Sequence, residues 1–417
     1  MITVFGLGFV GLTTAVGFAD KGYKVFGIDK DEDRKNILKA GRIPFAEIGL
    51  DKALERNLNK RFFICENTNQ AIKESEYIFF CVGTPYGENG QADLKYLYSA
   101  VEDAINTVKS LNDDRFRILI IKSTIPPSTT KEKIFKFIES HGLKVGEDIG
   151  LANNPEFLRE GFCWEDFMNP DRIVIGTEGD RTKHMLEDLY KPFNAPVFTV
   201  NYNTGEFIKY LSNTLLATLI SYSNEMSLIA DKIGEIDVAK SFRILHMDKR
   251  LNGSKIASYI YPGCGYGGYC LPKDTSAIYA LVKNKGFDPM ILKNVMDTNE
   301  KMSEFICKKI SEKAGKKDKI GILGLSFKPN SDDVRDTPAA KIIRELKNSG
   351  YENIYAYDPI AISEFKKYYP DVKINYVELY DEIIDKCDIF VIVTAWDEFK
   401  NIRNLTDKPV IDGRYML

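Results

Sequence analysis

Met1-Ile2-Thr3-Val4-Phe5-Gly6-Leu7-Gly8-Phe9-Val10-Gly11 is an apolar strand running straight into GxGxxG, and the small residues from Leu12 to Asp20 continue it as a helix. Strand, glycine turn and helix in that order form a dinucleotide cradle. Gly6 permits the tight turn, Gly8 lets a pyrophosphate approach the backbone, and Gly11 lets helix pack on strand. The N–H groups of the first helical turn, with Phe9 and Val10, would then meet the phosphates. Lys24–Ile28 supplies the next strand and ends in Asp29, an acid placed to hold a ribose hydroxyl pair. Such an acid repels a ribose phosphate, so NAD is expected rather than NADP; Arg34 and Lys35 are the residues that would reverse that choice.

Outward from this start, apolar runs alternate with helical patterns: Tyr77–Val82, Arg117–Lys122 and Arg172–Ile175. The alternation predicts an α/β fold with a doubly wound, parallel sheet. Ligands in such sheets sit at the carboxyl ends of strands, which brings Thr84 and Thr124 to the cofactor, or leaves them as helix caps. From Thr204 to about Gly234, Phe207, Ile208, Leu211, Leu215, Leu216, Leu219, Ile220 and Ile229 recur at helical spacing. One long helix is expected there, its apolar face either packed within a domain or building a homodimer. A second strand-turn-helix begins at Ile320 after a charged hinge. The expected architecture is two Rossmann-like domains, 1–203 and 311–417, joined by a central helical domain, 204–310, with the long helix.

The chain has 417 residues, 44% of them hydrophobic, and a net charge of −3, which gives no footprint for nucleic acid or an anionic membrane. Neither a signal peptide nor a membrane span is read. Seven cysteines form an odd, scattered set without a CxxC pair, which suits a reducing cytoplasm and offers no metal site.

Gly265-Tyr266-Gly267-Gly268-Tyr269-Cys270-Leu271-Pro272-Lys273-Asp274 places a thiol at a helix start with a cation and a carboxylate beside it. Helix N–H groups favour a thiolate, Pro272 suits a first turn, and Asp274 is one turn from Cys270. Lys209 and Asn213 are likewise four apart on the long helix, either a solvated pair or two donors aimed into a cleft. Glu156 and Glu160 after Pro155 have i,i+4 spacing, so a helix there would put both carboxylates on one face.

These motifs fall in the order of the UDP-glucose/GDP-mannose dehydrogenase family, which the chain resembles over nearly its whole length: GxGxxG, Gly83-Thr84-Pro85, Lys122-Ser123-Thr124, Asn154-Pro155-Glu156-Phe157-Leu158-Arg159-Glu160, Lys209 with Asn213, the cysteine segment, and Ser326-Phe327-Lys328-Pro329. The resemblance implies that the primary alcohol of a nucleotide-linked hexose is oxidised twice, consuming two NAD and one water. Cys270 would capture the aldehyde as a thiohemiacetal and carry it to a thioester. It further implies that Lys209 and Asn213 stabilise the oxyanion, that Asp274 and Thr124 hold the water, and that Glu156 or Glu160 moves protons.

Cofactor contacts are implied for Glu160, Lys273 and Arg335, and sugar-nucleotide contacts for Glu156, Phe157, Leu158, Lys209, Asn213, Gly267, Lys328 and Arg414. The segment after Arg250 departs from the family's length, leaving Arg250, Tyr259 and Tyr261 as its substrate-loop candidates. The Lys273-Asp274 pair resembles the UDP-glucose branch, with GDP-mannose or another nucleotide hexose as the alternative. A two-electron hydroxyacid dehydrogenase commonly relies on His or Lys as its acid-base group, and His141, His184 and His246 all lie outside the motifs. A catalytically dead scaffold is opposed by the presence of Cys270, Lys209 and Asp274.

Overall fold

Residues 1–417 are described by a computed structural model, and the chain separates into two compact units, Met1–Leu211 and Ser212–Leu417. The division falls inside the 32-residue helix Tyr202–Ile233.

In the first unit, eight strands run β1 Ile2–Phe5, β2 Val25–Ile28, β3 Phe62–Ile64, β4 Tyr77–Phe80, β5 Arg117–Ile121, β6 Ile149–Asn153, β7 Ile173–Gly176 and β8 Val197–Val200. Their order across the sheet is β3-β2-β1-β4-β5-β6-β7-β8. Helices cover both faces, so the central strands are mostly apolar, and β1 and β5 are buried at every position, Thr3 and Arg117 included. The order reverses between β1 and β4, which opens a crevice at their carboxyl ends beside the Gly6–Gly11 turn. One expectation is corrected: β6 and β7 pair antiparallel, Asn153 opposite Gly176, so the sheet is mixed.

The second unit carries β9 Ile320–Leu323, β10 Ile354–Tyr357, β11 Asn375–Tyr376, β12 Ile389–Ile392 and β13 Val410–Asp412, all parallel, in the order β11-β10-β9-β12-β13. This repeats the first half of the dinucleotide fold. The acid at its β10 tip is used differently, however. Asp358 is 2% exposed and accepts from the N–H groups of Leu325 (2.8 Å), Ser326 (3.1 Å), Ile360 (3.0 Å) and Ala361 (2.9 Å) and from the Trp396 indole (3.2 Å). A carboxylate so fully engaged is a structural knot and not a ribose ligand.

The long helix inverts the usual amphipathic pattern. Phe207, Leu211, Leu215, Tyr222, Met226, Ile229 and Ile233 are exposed, while Asn213, Ser221, Ser223, Asn224 and Ser227 are buried. The buried polar face is largely bonded: Ser221 donates to Val295 O (2.8 Å), Asn224 accepts from Gly263 N (2.7 Å), and Ser223 and Ser227 bond within the helix, while Asn224 Nδ2 has no hydrogen-bond partner.

Near its start, buried Glu206 accepts from Ser128 N (2.7 Å), Thr130 N (2.6 Å) and the Thr130 hydroxyl (2.6 Å), stitching the loop after β5 to the helix. Burial pushes this carboxyl from 4.5 up to about 7, against the pull of those donors. The fold therefore prefers the neutral acid, and its stabilising contribution is full below 4.5 and lost as pH rises through about 7. Urea denaturation at pH 5 and pH 8 should show the wild type losing on the order of 3 kcal/mol more than Glu206→Gln across that interval. Equal losses would exclude Glu206 as the source.

Candidate active site

In the first unit the glycines of the turn divide their work. Gly6, at φ +85°, would place a Cβ 2.8 Å from the Cys81 carbonyl, and a Cβ on Gly11 would sit 1.7 Å from the Gly6 carbonyl. Both are glycine because backbone packs on backbone. Gly8 and Gly83 have no heavy atom within 4 Å of a Cβ position, so this side of the turn is open to a ligand, and the residues fit a dinucleotide phosphate. The helix Phe9–Asp20 starts there, with Phe9 against Phe45 at 4.0 Å between centroids and the Val10 carbonyl taken by Thr14 Oγ1 (2.6 Å).

Asp29 ends β2 as expected. Its carboxylate accepts from Leu7 N (2.6 Å), Asp31 N (2.9 Å) and Arg34 Nη1 (2.9 Å). The basic residues that would favour NADP are engaged by acids: Arg34 by Asp29 and Asp31, Lys35 by Glu32 and Glu66. Thr84 is buried and donates to the Thr124 carbonyl (2.9 Å), so its hydroxyl bridges the β4 and β5 tips.

Beside these tips lies a buried ion pair, Lys209 Nζ to Glu156 Oε1 at 2.7 Å, with side chains only 5% and 6% exposed. Glu156 Oε2 accepts from Leu158 N (2.6 Å), and Lys209 Nζ is 5.8 Å from the Phe157 ring centroid. Burial works to raise the Glu156 carboxyl, but the Lys209 charge and hydrogen bond, the Leu158 N–H and Lys122 outweigh it and hold the carboxyl below its ordinary value. Lys122, also buried, donates to Asn154 Oδ1 (2.8 Å) and is pushed down to about 8 by burial.

The helix expected through Glu156 and Glu160 is absent: residues 154–159 are irregular and the next helix is Cys163–Met168. Two acids remote in sequence or structure hold the segment otherwise. Buried Glu47 accepts from Gly161 N (3.0 Å) and Trp164 N (3.2 Å), and Asp166 takes Arg159 N (2.8 Å) and its guanidinium. Glu160 is thus half-buried in a turn, its relation to Glu156 not that of helical neighbours.

In the second unit the helix Cys270–Lys283 begins at the cysteine itself. Cys270 is the one exposed cysteine of the chain. Burial pushes Cys81, Cys264, Cys307 and Cys387 up to about 12, so those thiols stay protonated. One turn on, fully buried Asp274 pairs with Lys273 and accepts from Asn213 Nδ2 (2.6 Å). The pattern at i,i+4 therefore joins an exposed thiol to a buried ionic knot.

The glycine loop before the cysteine is clamped by protein. Asn299 accepts from Tyr266 N (2.7 Å) and donates to Tyr266 O (3.0 Å), and Gly268 N donates to Arg335 O (2.9 Å). A Cβ on Gly267 would lie 2.4 Å from the Asp336 carbonyl, and one on Gly268, at φ +79°, 2.9 Å from the Phe327 ring. Gly267, expected against substrate, is glycine because of that backbone contact.

Lys328 Nζ lies 5.4 Å from the Phe327 ring centroid, and Arg335 is held bidentately by Asp333 (2.8 and 2.7 Å). Gly263 makes room for the Arg414 guanidinium, 2.6 Å from its would-be Cβ. Arg250 is 86% exposed and paired with Asp248 (2.6 Å). Tyr259 ends a short helix, Lys255–Tyr259, and the Tyr261 hydroxyl donates to Tyr415 O (2.7 Å). Glu47, Glu206 and Asn299 lie outside every motif of the sequence, and Lys122 lies within one.

Three family models match consecutive parts of the chain. They describe the UDP-glucose/GDP-mannose dehydrogenase family's NAD binding domain at residues 1–194, its central domain at 203–301 and its UDP binding domain at 321–417. The UDP-glucose 6-dehydrogenase TuaD of Bacillus subtilis (strain 168) is 37% identical over 99% of this chain and 88% of its own. Among solved structures, a UDP-glucose dehydrogenase from the archaeon Pyrobaculum islandicum superposes with a TM-score of 0.91 at 35% identity, covering 100% of this chain and 94% of that one. A UDP-D-ManNAc dehydrogenase from Pyrococcus horikoshii gives 0.84 at 28%, covering 100% and 96%.

Removing one half of the buried Lys273–Asp274 pair strands a charge. Lys273→Ala should lower stability by about 3–5 kcal/mol in urea denaturation. A loss under about 1 kcal/mol would show the carboxylate to be solvated or neutral.

Proposed function

The chain belongs to the UDP-glucose/GDP-mannose dehydrogenase family, and we propose that it oxidises the C6 alcohol of UDP-glucose to the carboxylate, giving UDP-glucuronate. It is an NAD-dependent oxidoreductase. The observation that carries the mechanism is the state of Cys270: the one exposed thiol of the chain, at the first position of a helix. When bound, NAD accepts one hydride in each of two oxidations.

The chain's own groups account for the rest. Glu156, ionised beside Lys209, is suited to take the alcohol proton, and its bonded partner Lys209 to meet the developing alkoxide. Cys270 thiolate adds to the aldehyde carbon and forms a C–S bond, with Lys209 and Asn213 as donors to the resulting oxyanion. Loss of the second hydride leaves a thioester. Water, held by Thr124 and Asp274 and deprotonated by Glu156 or Glu160, displaces the thiolate. The sum is alcohol plus two NAD⁺ plus water to carboxylate plus two NADH and three protons.

In this reading Gly6, Gly8, Gly11, Asp29 and Thr84 shape the NAD site, with Lys273 and Arg335 as further cofactor contacts. Phe157, Leu158, Arg250, Lys328 and Arg414 contact the sugar nucleotide.

The exposed face of the long helix supports a homodimer. Phe207, Leu211, Leu215, Tyr222, Met226, Ile229 and Ile233 recur at intervals of three, four or seven and make one apolar stripe. Leu215→Glu should shift the particle to monomer mass in light scattering, and a wild type already monomeric would refute the dimer.

Cys270→Ser should bind NADH with the wild-type Kd while overall turnover falls at least about 1000-fold, because a serine hydroxyl is a far weaker nucleophile at neutral pH. Retained turnover would exclude the covalent route.

A further inference from the structure

Tyr269, immediately before the cysteine, has two cations near its ring. Arg335 Cζ lies 4.5 Å from the ring centroid and Lys273 Nζ 5.4 Å. Each cation also has an acid: Arg335 is bidentate to Asp333, and Lys273 is bonded to Asp274. The main chain reinforces the arrangement, since Gly268 N donates to the Arg335 carbonyl (2.9 Å) and so fixes the loop just before Tyr269 against Arg335.

A carboxylate neutralises a cation but consumes its N–H donors. A ring face attracts a cation through its quadrupole and accepts none of those hydrogen bonds. It therefore holds a guanidinium or ammonium in place while adding no competitor to an incoming phosphate. It also offsets the mutual repulsion of two like charges gathered around one side chain. Burial pushes the Tyr269 phenol up to about 12, against the pull of Arg335, so the ring faces both cations as a neutral phenol throughout the neutral pH range.

We propose that Tyr269 is a positioning residue for the cofactor, its ring setting Lys273 and Arg335 together to receive the anionic part of NAD. This rests on the assignment of Lys273 and Arg335 to the cofactor made above. Tyr269 does not touch the reacting atoms; it acts through the two cations.

The test is the Kd for NADH, by fluorescence titration, in wild type, Tyr269→Phe, Tyr269→Leu and Arg335→Ala, with KM for UDP-glucose and kcat at saturating NAD measured alongside. Tyr269→Phe keeps the ring and should keep the wild-type Kd. Tyr269→Leu should raise it roughly 5- to 20-fold, with KM for UDP-glucose and kcat within about twofold of wild type. Tyr269→Met, another apolar side chain without a ring, serves if the leucine variant folds poorly.

An unchanged Kd in Tyr269→Leu overturns the proposal, as does a Phe variant as weak as Leu, which would move the role to the hydroxyl. If Arg335→Ala weakens NADH binding and Tyr269→Leu does not, only the role of the ring fails. If Arg335→Ala binds NADH as the wild type does, the cofactor assignment of Arg335 fails and the proposal fails with it.

Discussion

A lysine and a glutamate that would each be costly to bury alone, Lys209 and Glu156, are buried together at 2.7 Å, and much of the first unit serves to keep them so. Glu156 sits on the irregular segment after β6, Lys209 on the second turn of the long helix. The pair is compensated on all sides: Leu158 N–H completes the carboxylate, Phe157 faces the ammonium, and Lys122 adds positive charge behind. A buried pair with further hydrogen bonds is tolerable where either ion alone is not. The same arrangement keeps the carboxylate ionised in a dry setting. Three residues earlier on the same helix, Glu206 fixes the loop that follows β5. One helix turn thereby ties down two strand-tip loops.

The two sheets share a parallel skeleton over β3-β2-β1-β4-β5 and β11-β10-β9-β12-β13 and diverge in the use of one acid. At the β2 tip, Asp29 has a single backbone bond across to the glycine turn and is partnered by Arg34. At the equivalent β10 tip, Asp358 gathers four backbone N–H groups and an indole. The first arrangement is compatible with a ribose at the sheet edge. In the second the carboxylate closes the loop on itself. Gly324 packs against Thr394 as Gly6 packs against Cys81, and the divergence shows in the sequence two and five residues on, where Ser326 and Pro329 stand in place of Gly8 and Gly11.

Local patterns were legible in the sequence and long-range acids were not. GxGxxG, the acid of β2, the start of the helix at Cys270 and the long helix each depend on neighbours within one strand-turn-helix, and spacing finds them. Glu156 and Glu160 were misread as helical neighbours because Glu47, 114 positions before Gly161, dictates the path of that segment. The apolar periodicity of the long helix holds, yet Phe207, Leu211, Leu215 and Ile229 are exposed and the rest of the set only half-buried, because Ser and Asn side chains fill much of the buried face. The contact that makes Gly267 a glycine, a carbonyl from another loop, is invisible in the sequence. Strand β3 escapes a pattern reading because it has three residues and β6 because Gly150 and Asn153 interrupt it; β8, β11 and β13 are likewise not read as strands.

An exposed thiol, Cys270, would carry one oxidation on to a second. Counting NADH formed per mole of UDP-glucose consumed, with sugar nucleotide limiting and NAD in excess, tests this directly, with GDP-mannose run in parallel. Two NADH from UDP-glucose and none from GDP-mannose is the predicted result. One NADH per UDP-glucose, with an aldehyde accumulating, would contradict the covalent role of Cys270.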